Sequence, residues 1–163
     1  MAKNQIGVTY LGLLFTVALG SIALAGTGTL WQMESRRDKE KELLFIGEEY
    51  RRAIASYYDN SPGDPQYPAR LADLAHDPRF PMPVRHLRRL YSDPMSADGQ
   101  WHLISRQGRI VGVASRSLQA PIKIGDFPAE QSDFEGACRY ADWQFVHKGG
   151  ASRRRITVDE DEP

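Results

Sequence analysis

The feature that most constrains this chain is a run of residues without charge close to its N-terminus. From residue 7 to residue 31 the sequence contains no Asp, Glu, Lys or Arg. As an α-helix, residues 8–31 would extend about 36 Å at about 1.5 Å per residue. The hydrocarbon core of a bilayer is about 30 Å thick, and lipid offers backbone amides no hydrogen-bond partner, so a spanning segment must be helical. The run therefore predicts a transmembrane helix at residues 8–31.

A short polar leader precedes the run. It reads Met-Ala-Lys-Asn-Gln-Ile-Gly, with Lys3 as its single charge. A short leader that contains a lysine and ends in glycine, followed at once by an apolar helix, resembles the type IV prepilins. In that family a membrane peptidase cuts after the glycine and methylates the new amine. The resemblance implies a leader at residues 1–7, cleavage between Gly7 and Val8, and prepilin peptidase as a partner.

One position departs from the family pattern. The fifth residue of the mature chain is usually Glu in prepilins, and here it is Gly12. A carboxylate within the membrane is costly unless it is paired, and the family's Glu is thought to pair with the amine of a neighbouring subunit. Because Gly12 has no carboxylate, the resemblance implies a minor subunit at a filament tip or an initiator.

Three other interpretations of the same run remain open. The first is a cleaved secretory signal, with Lys3 as the basic end and Ala23-Leu24-Ala25 as the cleavage pattern. The second is an uncleaved anchor on an unrelated periplasmic domain. The third is a buried core helix, which the absence of charge and the length of the run disfavour.

Composition limits the class of protein. The 163 residues suffice for an anchor and one small domain. Lys plus Arg and Asp plus Glu number 21 each, so the overall charge gives no indication of a nucleic-acid partner. The single cysteine, Cys138, excludes an intramolecular disulfide, and its type predicts a small buried residue.

After the apolar run the pattern becomes amphipathic. Apolar residues recur at steps of three and four, which is typical of one buried helix face: Leu43, Ile46, Tyr50, Ile54 and Tyr57. No proline occurs before Pro62, so the helix is predicted to continue to about residue 58. Residues 68–75 and 84–91 are predicted as two short helices that follow the turn at residues 59–65.

Strands are predicted in the C-terminal half. Residues 101–106 and 109–115 are rich in aromatic and β-branched types and are joined by Gln107-Gly108, which indicates a hairpin. A third strand is predicted at residues 142–147, with Trp143, Phe145 and His147 on one face. Residues 116–140 have no clear pattern, and the charged tail at residues 149–163 is predicted to be disordered.

The order of these elements resembles the type II secretion pseudopilins, especially their major, G-type subfamily. In that subfamily an Asp-Pro-Trp-Gly-like turn precedes the first strand, and Asp93-Pro94 occupies this place here. The subfamily also binds calcium through acidic residues that follow the hairpin. Residues 115–119 contain no carboxylate, and calcium requires several oxygen ligands, so no calcium site is expected.

The sequence contains no recognisable catalytic motif. Its histidines, at positions 76, 86, 102 and 147, form no H-E-x-x-H, and the chain has no C-x-x-C and no Gly-rich phosphate loop. Its serines have no G-x-S-x-G context, and Asp93 and Asp98 flank a turn, where Asp is common for conformational reasons. We therefore expect no catalytic residues, no metal and no cofactor.

Together these observations predict an α+β, pilin-like fold. A long N-terminal helix, half transmembrane and half amphipathic, is expected to pack on a small antiparallel sheet, with the periplasmic domain at residues 32–148. In this arrangement Leu43, Ile46, Tyr50 and Ile54 would bury against the hairpin residues Trp101, Leu103, Val111 and Val113.

The expected function is that of a non-enzymatic, pseudopilin-like subunit of a type II secretion or type IV pilus-like assembly. Its expected partners are other pseudopilins or pilins, contacted through the N-terminal helix, prepilin peptidase and inner-membrane lipid, with no nucleic acid. The expected location is the bacterial inner membrane, crossed once, with the C-terminal domain in the periplasm. The alternative is a signal-anchored or secreted periplasmic binding or enzyme domain unrelated to pili.

Overall fold

The structure is a computed structural model that describes residues 5–149, with side chains for residues 10–19 and 33–149. The chain forms two compact units, Met1–Lys39 and Glu40–Pro163. Over the described residues the helices are α1 (Gln5–Asp59), α2 (Ala72–Ala75) and two 3₁₀ helices, Ala129–Phe134 and Tyr140–Asp142. The strands are β1 (His102–Arg106), β2 (Arg109–Ala114) and β3 (Gln144–Val146).

The predicted fold class is wrong in its transmembrane half. None of the helices, within the residues that the structure describes, is long and apolar enough to cross a membrane. The pilin-like class is therefore replaced by a simpler description, helices with a small antiparallel sheet.

The C-terminal half of α1 supplies one side of the hydrophobic core. The residues predicted from the three-and-four spacing are buried, with exposed fractions of 0–4%: Leu43, Ile46, Tyr50, Ile54 and Tyr57. They form one cluster with residues of the sheet and of the 3₁₀ helices, including Trp101, Val113, Phe134 and Trp143. The spacing alone therefore identified this helix face correctly.

The sheet has three antiparallel strands in the order β1-β2-β3. The predicted hairpin is confirmed, because Arg106 pairs with Arg109 across the two-residue turn Gln107-Gly108. Both turn residues have positive φ, at 52° and 73°, which is the backbone twist that two-residue hairpins favour. The third strand is also confirmed, and Gly112 pairs with Val146 across β2 and β3.

Two predictions about individual segments are wrong, and a third is confirmed in part. Leu103 is 43% exposed, because it lies on β1, a strand at the edge of the sheet with an open side. Residues 84–91 form no helix; instead the N–H groups of His86 and Leu87 both donate to the Leu74 carbonyl at 2.9 Å. This segment therefore satisfies its backbone groups against α2 rather than within a helical turn of its own. The short helix predicted at residues 68–75 is confirmed in its second half, Ala72–Ala75.

Residues 116–140, which sequence patterns left unassigned, cover the core as loop and 3₁₀ helix. Phe134 stacks on Trp143 with ring centroids 5.7 Å apart and planes inclined by 20°. The predicted burial of Cys138 is wrong, since this residue is exposed. The apolar residues around it, Phe134 and Tyr140, occupy the inner positions instead.

Candidate functional site

The residues predicted to be processed lie at the beginning of α1. Gly7 and Val8 belong to this helix, but their surroundings lie outside the described side chains. At Gly12, where prepilins usually have Glu, an added Cβ would meet no atom within 4 Å. The Gly12 carbonyl accepts a hydrogen bond from Thr16 Oγ1 at 2.8 Å. Position 12 therefore has room for a side chain, and what it lacks is the charge.

The segment around Gly12 is apolar, and its large side chains are exposed. Between residues 10 and 19 the large apolar side chains are 48–68% exposed, and they include Tyr10, Leu11, Leu13, Leu14, Phe15 and Leu19. At about 100° per residue these positions lie on all sides of the helix rather than on one stripe. Contiguous apolar surface of this kind is typical of an interaction site. We call residues 10–19 the exposed apolar segment.

A buried polar cluster at the C-terminal end of α1 was not apparent from the sequence. Asp77 is fully buried and forms an ion pair with Arg79 at 2.6 Å. His86, whose side chain is 2% exposed, approaches Asp77 Oδ2 with Nε2 at 3.1 Å. Its other ring nitrogen, Nδ1, lies 2.9 Å from Ser56 Oγ. The guanidinium of Arg79 also lies 3.5 Å above the ring of Tyr57.

The electrostatics of this cluster favour a charged carboxylate. Burial raises the pKa of Asp77, but hydrogen bonds from the Arg79 side chain, the Arg79 backbone and His86 outweigh it and lower the pKa to about 2. Arg79 also donates to the Tyr57 carbonyl at 2.8 Å and to Ser61 Oγ at 2.7 Å. The cluster therefore ties the end of α1 to the loop at residues 77–86.

The order Ser56–His86–Asp77 resembles a hydrolase triad in chemistry but not in geometry. Ser56 lies inside α1, where backbone N–H groups are bonded to carbonyls four residues earlier. These N–H groups therefore cannot form the oxyanion hole that a serine nucleophile requires. Ser56 Oγ also accepts a bond from Asn60 Nδ2 at 3.2 Å, and the Asp77 carboxylate is shared with Arg79. We assign the cluster a structural role.

The Asp-Pro turn is held by its aspartate. The buried carboxylate of Asp93 accepts bonds from the Met95 N–H at 2.9 Å, from Ser115 Oγ at 2.8 Å and from the Arg116 N–H at 3.0 Å. Asp98, which is exposed, contacts Ser96 Oγ and forms an ion pair with Arg116 at 2.7 Å. These contacts close the turn and attach it to the end of β2, as the conformational interpretation of Asp93 and Asp98 predicts.

Another buried carboxylate, Glu40 on α1, was also missed by the sequence analysis. It accepts the N–H groups of Ile122 and Lys123 at 2.7 and 3.0 Å, and the Tyr140 hydroxyl at 2.6 Å. The flanking sequence alternates Glu and Lys like any solvated helix face. The only available signal was that Glu40 lies three residues before Leu43, the first residue of the buried stripe.

A groove runs beside β3. It is lined by residues 144–148 on one side and 129–134 on the other, together with Glu48 and Arg51 of α1. Burial lowers the pKa of His147, and the charge of Arg51 adds to this effect while Asp59 opposes it. His147 Nε2 has no hydrogen-bond partner among the described residues. Lys148 reaches across to Asp133 at 2.5 Å.

The described residues contain no group of three or more His, Cys, Asp or Glu side chains arranged to hold a metal ion. No protein-family model, curated protein or solved structure matches the chain. The function proposed below therefore depends on the chemistry of the chain itself.

Proposed function

We propose that this chain is a non-enzymatic structural subunit of a type II secretion or type IV pilus-like assembly. The observation that carries the proposal is the exposed apolar segment at residues 10–19, where large apolar side chains on all sides of α1 are uncovered. A helix that is apolar all round is stable in water only when other surfaces cover it. In the proposed assembly, the covering surfaces are the corresponding helices of other pseudopilins or pilins.

The leader supports the same function. Its polar residues and Lys3, followed by Gly7 and an apolar helix, fit the substrate of a prepilin peptidase. The proposal includes cleavage between Gly7 and Val8, a location at the bacterial inner membrane and a periplasmic C-terminal domain. The leader is the only basis for the proposed location.

Position 12 adds a finer part to the proposal. Gly12 offers space but no carboxylate for a neighbouring amine. A subunit without this charge pair would join an assembly through apolar packing alone, as expected of a minor or initiating subunit. Such a protein, purified by itself, should not form long filaments.

The first test is proteolytic processing. We expect coexpression with a prepilin peptidase to remove residues 1–7 and to leave a methylated Val8 at the N-terminus, as measured by intact mass. Gly7→Trp should block this cut, because the family's peptidase requires a small residue there. Gly12→Ala is the matched control in the same helix and should be processed normally. A mature chain that begins at Gly26 would instead indicate signal peptidase and a secreted domain, and an uncut chain would indicate a plain anchor; either would overturn the proposal.

The same coexpressed system tests the partners. A photocrosslinking residue at position 15, within the exposed apolar segment, should form adducts with other pseudopilins. The same residue at position 82, which is 75% exposed on the second unit, is the control for exposure alone and should form few. Adducts at position 82 but not at position 15 would contradict packing through the N-terminal helix.

A further inference from the structure

Exposed charges of opposite sign are separated on the second unit. Residues 85–90 contain no Asp or Glu and three exposed arginines, which are Arg85, Arg88 and Arg89. Residues 126–135 contain no Lys or Arg and four exposed carboxylates, which are Asp126, Glu130, Asp133 and Glu135. We call residues 85–90 the basic loop and residues 126–135 the acidic segment. The balanced overall charge of the chain therefore conceals two local surfaces of high charge.

The fold holds the basic loop in place and leaves its arginines available. Leu87 is buried, and the N–H groups of His86 and Leu87 both donate to the Leu74 carbonyl at 2.9 Å. The guanidinium of Arg89 lies 4.9 Å from the centre of the Tyr91 ring. Within residues 5–149 none of the three arginines of the loop forms an ion pair. Their positive charges are therefore not neutralised by the described part of the chain.

The acidic segment is held from below by its one buried residue. Phe134 is 5% exposed and stacks on Trp143. Asp133 is already paired with Lys148. The other three carboxylates of the segment form no ion pair within residues 5–149. Three carboxylates on this surface therefore match three arginines on the basic loop.

The two surfaces lie on different flanks of α1. The basic loop meets the helix at Ser56, whose Oγ lies 2.9 Å from His86 Nδ1. The acidic segment meets it at Arg51, which lines the groove beside β3 together with Glu130. Ser56 and Arg51 are five residues apart, which is about 140° around the helix at about 100° per residue. Because α1 stands between the two surfaces, they cannot meet within one copy of the unit, but they can meet between two copies.

We propose that two copies of this chain associate through the basic loop of one and the acidic segment of the other. Each surface also has an exposed apolar side chain at or near its end, Leu90 at 49% and Ile124 at 77%. An apolar contact with a polar rim is the usual anatomy of a protein interface. A second copy fits better than an anionic membrane, because the chain supplies both complementary surfaces and a membrane matches only one of them.

The contact is heterologous, since the surface on one copy differs from the surface on the other. A pair therefore keeps one basic loop and one acidic segment free. Ion pairs between exposed side chains are individually weak and are screened by salt. The association is consequently reversible and sensitive to ionic strength, and it does not by itself produce long filaments. It lies within the second unit, so it does not depend on the leader or on the exposed apolar segment.

Charge reversal on each surface tests the contact. The reversed-loop variant carries Arg85→Glu and Arg88→Glu, the reversed-segment variant carries Glu130→Arg and Glu135→Arg, and the exchanged variant carries all four changes. Sedimentation equilibrium of the full-length chain in a neutral, density-matched detergent at about 0.05 M salt measures the dissociation constant between copies. We expect the two reversed variants to associate at least about tenfold more weakly than the native chain, because like charges then face each other.

The exchanged variant distinguishes this contact from an effect of net charge. Its opposite charges face each other again, so its dissociation constant should return to within about threefold of the native value. A mixture of the two reversed variants should recover association in the same way. Lys39→Glu with Arg106→Glu is the matched control, because it reverses two exposed cations outside both surfaces and should have little effect. Unchanged urea unfolding midpoints verify that each variant is folded.

Three outcomes would overturn the proposal. The first is a dissociation constant that is the same for the native chain and both reversed variants. The second is weaker association in the reversed variants without recovery in the exchanged variant or in the mixture, because the effect would then come from net charge. The third is a native chain that stays monomeric in neutral detergent and associates only when phosphatidylglycerol is added, which would assign the basic loop to an anionic lipid surface.

Discussion

At the scale of single residues, buried carboxylates hold segments of the chain together by hydrogen bonds, and no sequence pattern identified them. Asp77 and Glu40 are both buried and both have several hydrogen-bond partners, which are Arg79 and His86 for Asp77 and distant segments for Glu40. Their partners lie up to one hundred positions away, as Tyr140 does from Glu40. A spacing pattern within one helix or loop cannot reveal such contacts, because they exist only after the chain has folded.

Asp77 yields a prediction about pH. Its pKa is about 2 in the folded protein, against 3.8 as the ordinary value. Because the folded value is depressed, the stabilisation is present above about pH 4 and is lost as the pH falls from about 4 to about 2. The difference corresponds to about 2 kcal/mol at about 1.36 kcal/mol per pKa unit. Asp77→Asn should therefore lower the free energy of unfolding at pH 7 by about this amount and flatten its dependence on pH between 4 and 2.

Urea unfolding of the full chain at several pH values measures both effects. Asp64→Asn is the matched control, since Asp64 is exposed in the turn after α1, and it should leave the unfolding midpoint nearly unchanged. An Asp77→Asn variant with the same pH dependence as the native chain would contradict the assigned charge state. His86→Ala should lower the free energy of unfolding but should not flatten its dependence on pH, because Arg79 still pairs with Asp77.

At the scale of elements, α1 approaches the sheet closely at a glycine. A Cβ added to Gly47 would overlap the ring of Phe145, well inside the ordinary van der Waals contact distance. Phe145 is itself buried and packs against Phe134, with ring centroids 5.0 Å apart. Gly47 is therefore needed for its size, although glycine is otherwise unfavourable in a helix.

Gly47→Ala and Gly12→Ala should have different effects within the same helix. At Gly47, overpacking against Phe145 costs about 1–3 kcal/mol, which exceeds the gain of about 1 kcal/mol in helix propensity. At Gly12 an added Cβ meets nothing, so only the gain in propensity remains. Thermal unfolding should show a lower midpoint for Gly47→Ala and an unchanged or higher one for Gly12→Ala. A stabilised Gly47→Ala would show that the ring of Phe145 can move away without cost.

The same comparison explains which elements the sequence could predict. The buried face of α1 and the β1–β2 hairpin depend on local periodicity and on one turn, so they were predicted correctly. Residues 84–91 also have helical spacing, but their backbone groups bond to α2. Leu103 alternates correctly along β1 and is still exposed at the sheet edge. In both cases the deciding contact is tertiary, and no local pattern contains it. The exposed apolar segment was visible in the sequence as an uncharged run, whereas the polar cluster at Asp77 was not.

At the scale of the whole molecule, the core cluster and the exposed apolar segment lie in different units. The second unit, Glu40–Pro163, contains every residue of the hydrophobic core cluster among the described residues. The first unit, Met1–Lys39, contains the exposed apolar segment and the residues 1–7 that the proposal assigns to a leader. Stability should therefore reside in the second unit, and the proposed assembly in the first.

Removal of residues 1–32 tests this division. The shortened chain begins at Met33, seven residues before Glu40, and retains the whole core cluster. Because a unit with its own core can fold alone, we expect cooperative unfolding with a free energy within about 1 kcal/mol of the full chain, since the core cluster of the described residues lies in the second unit. Leu43→Ala in the shortened chain should then cost about 2–5 kcal/mol, the range for a large-to-small change in a core, while Phe45→Ala on the exposed side of the same helix should cost far less. In coexpression the shortened chain should lose the proposed association with pseudopilins while its fold is retained. A shortened chain that fails to fold would show that the first unit contributes to the core, and one that folds and still associates would transfer the interaction surface to the second unit.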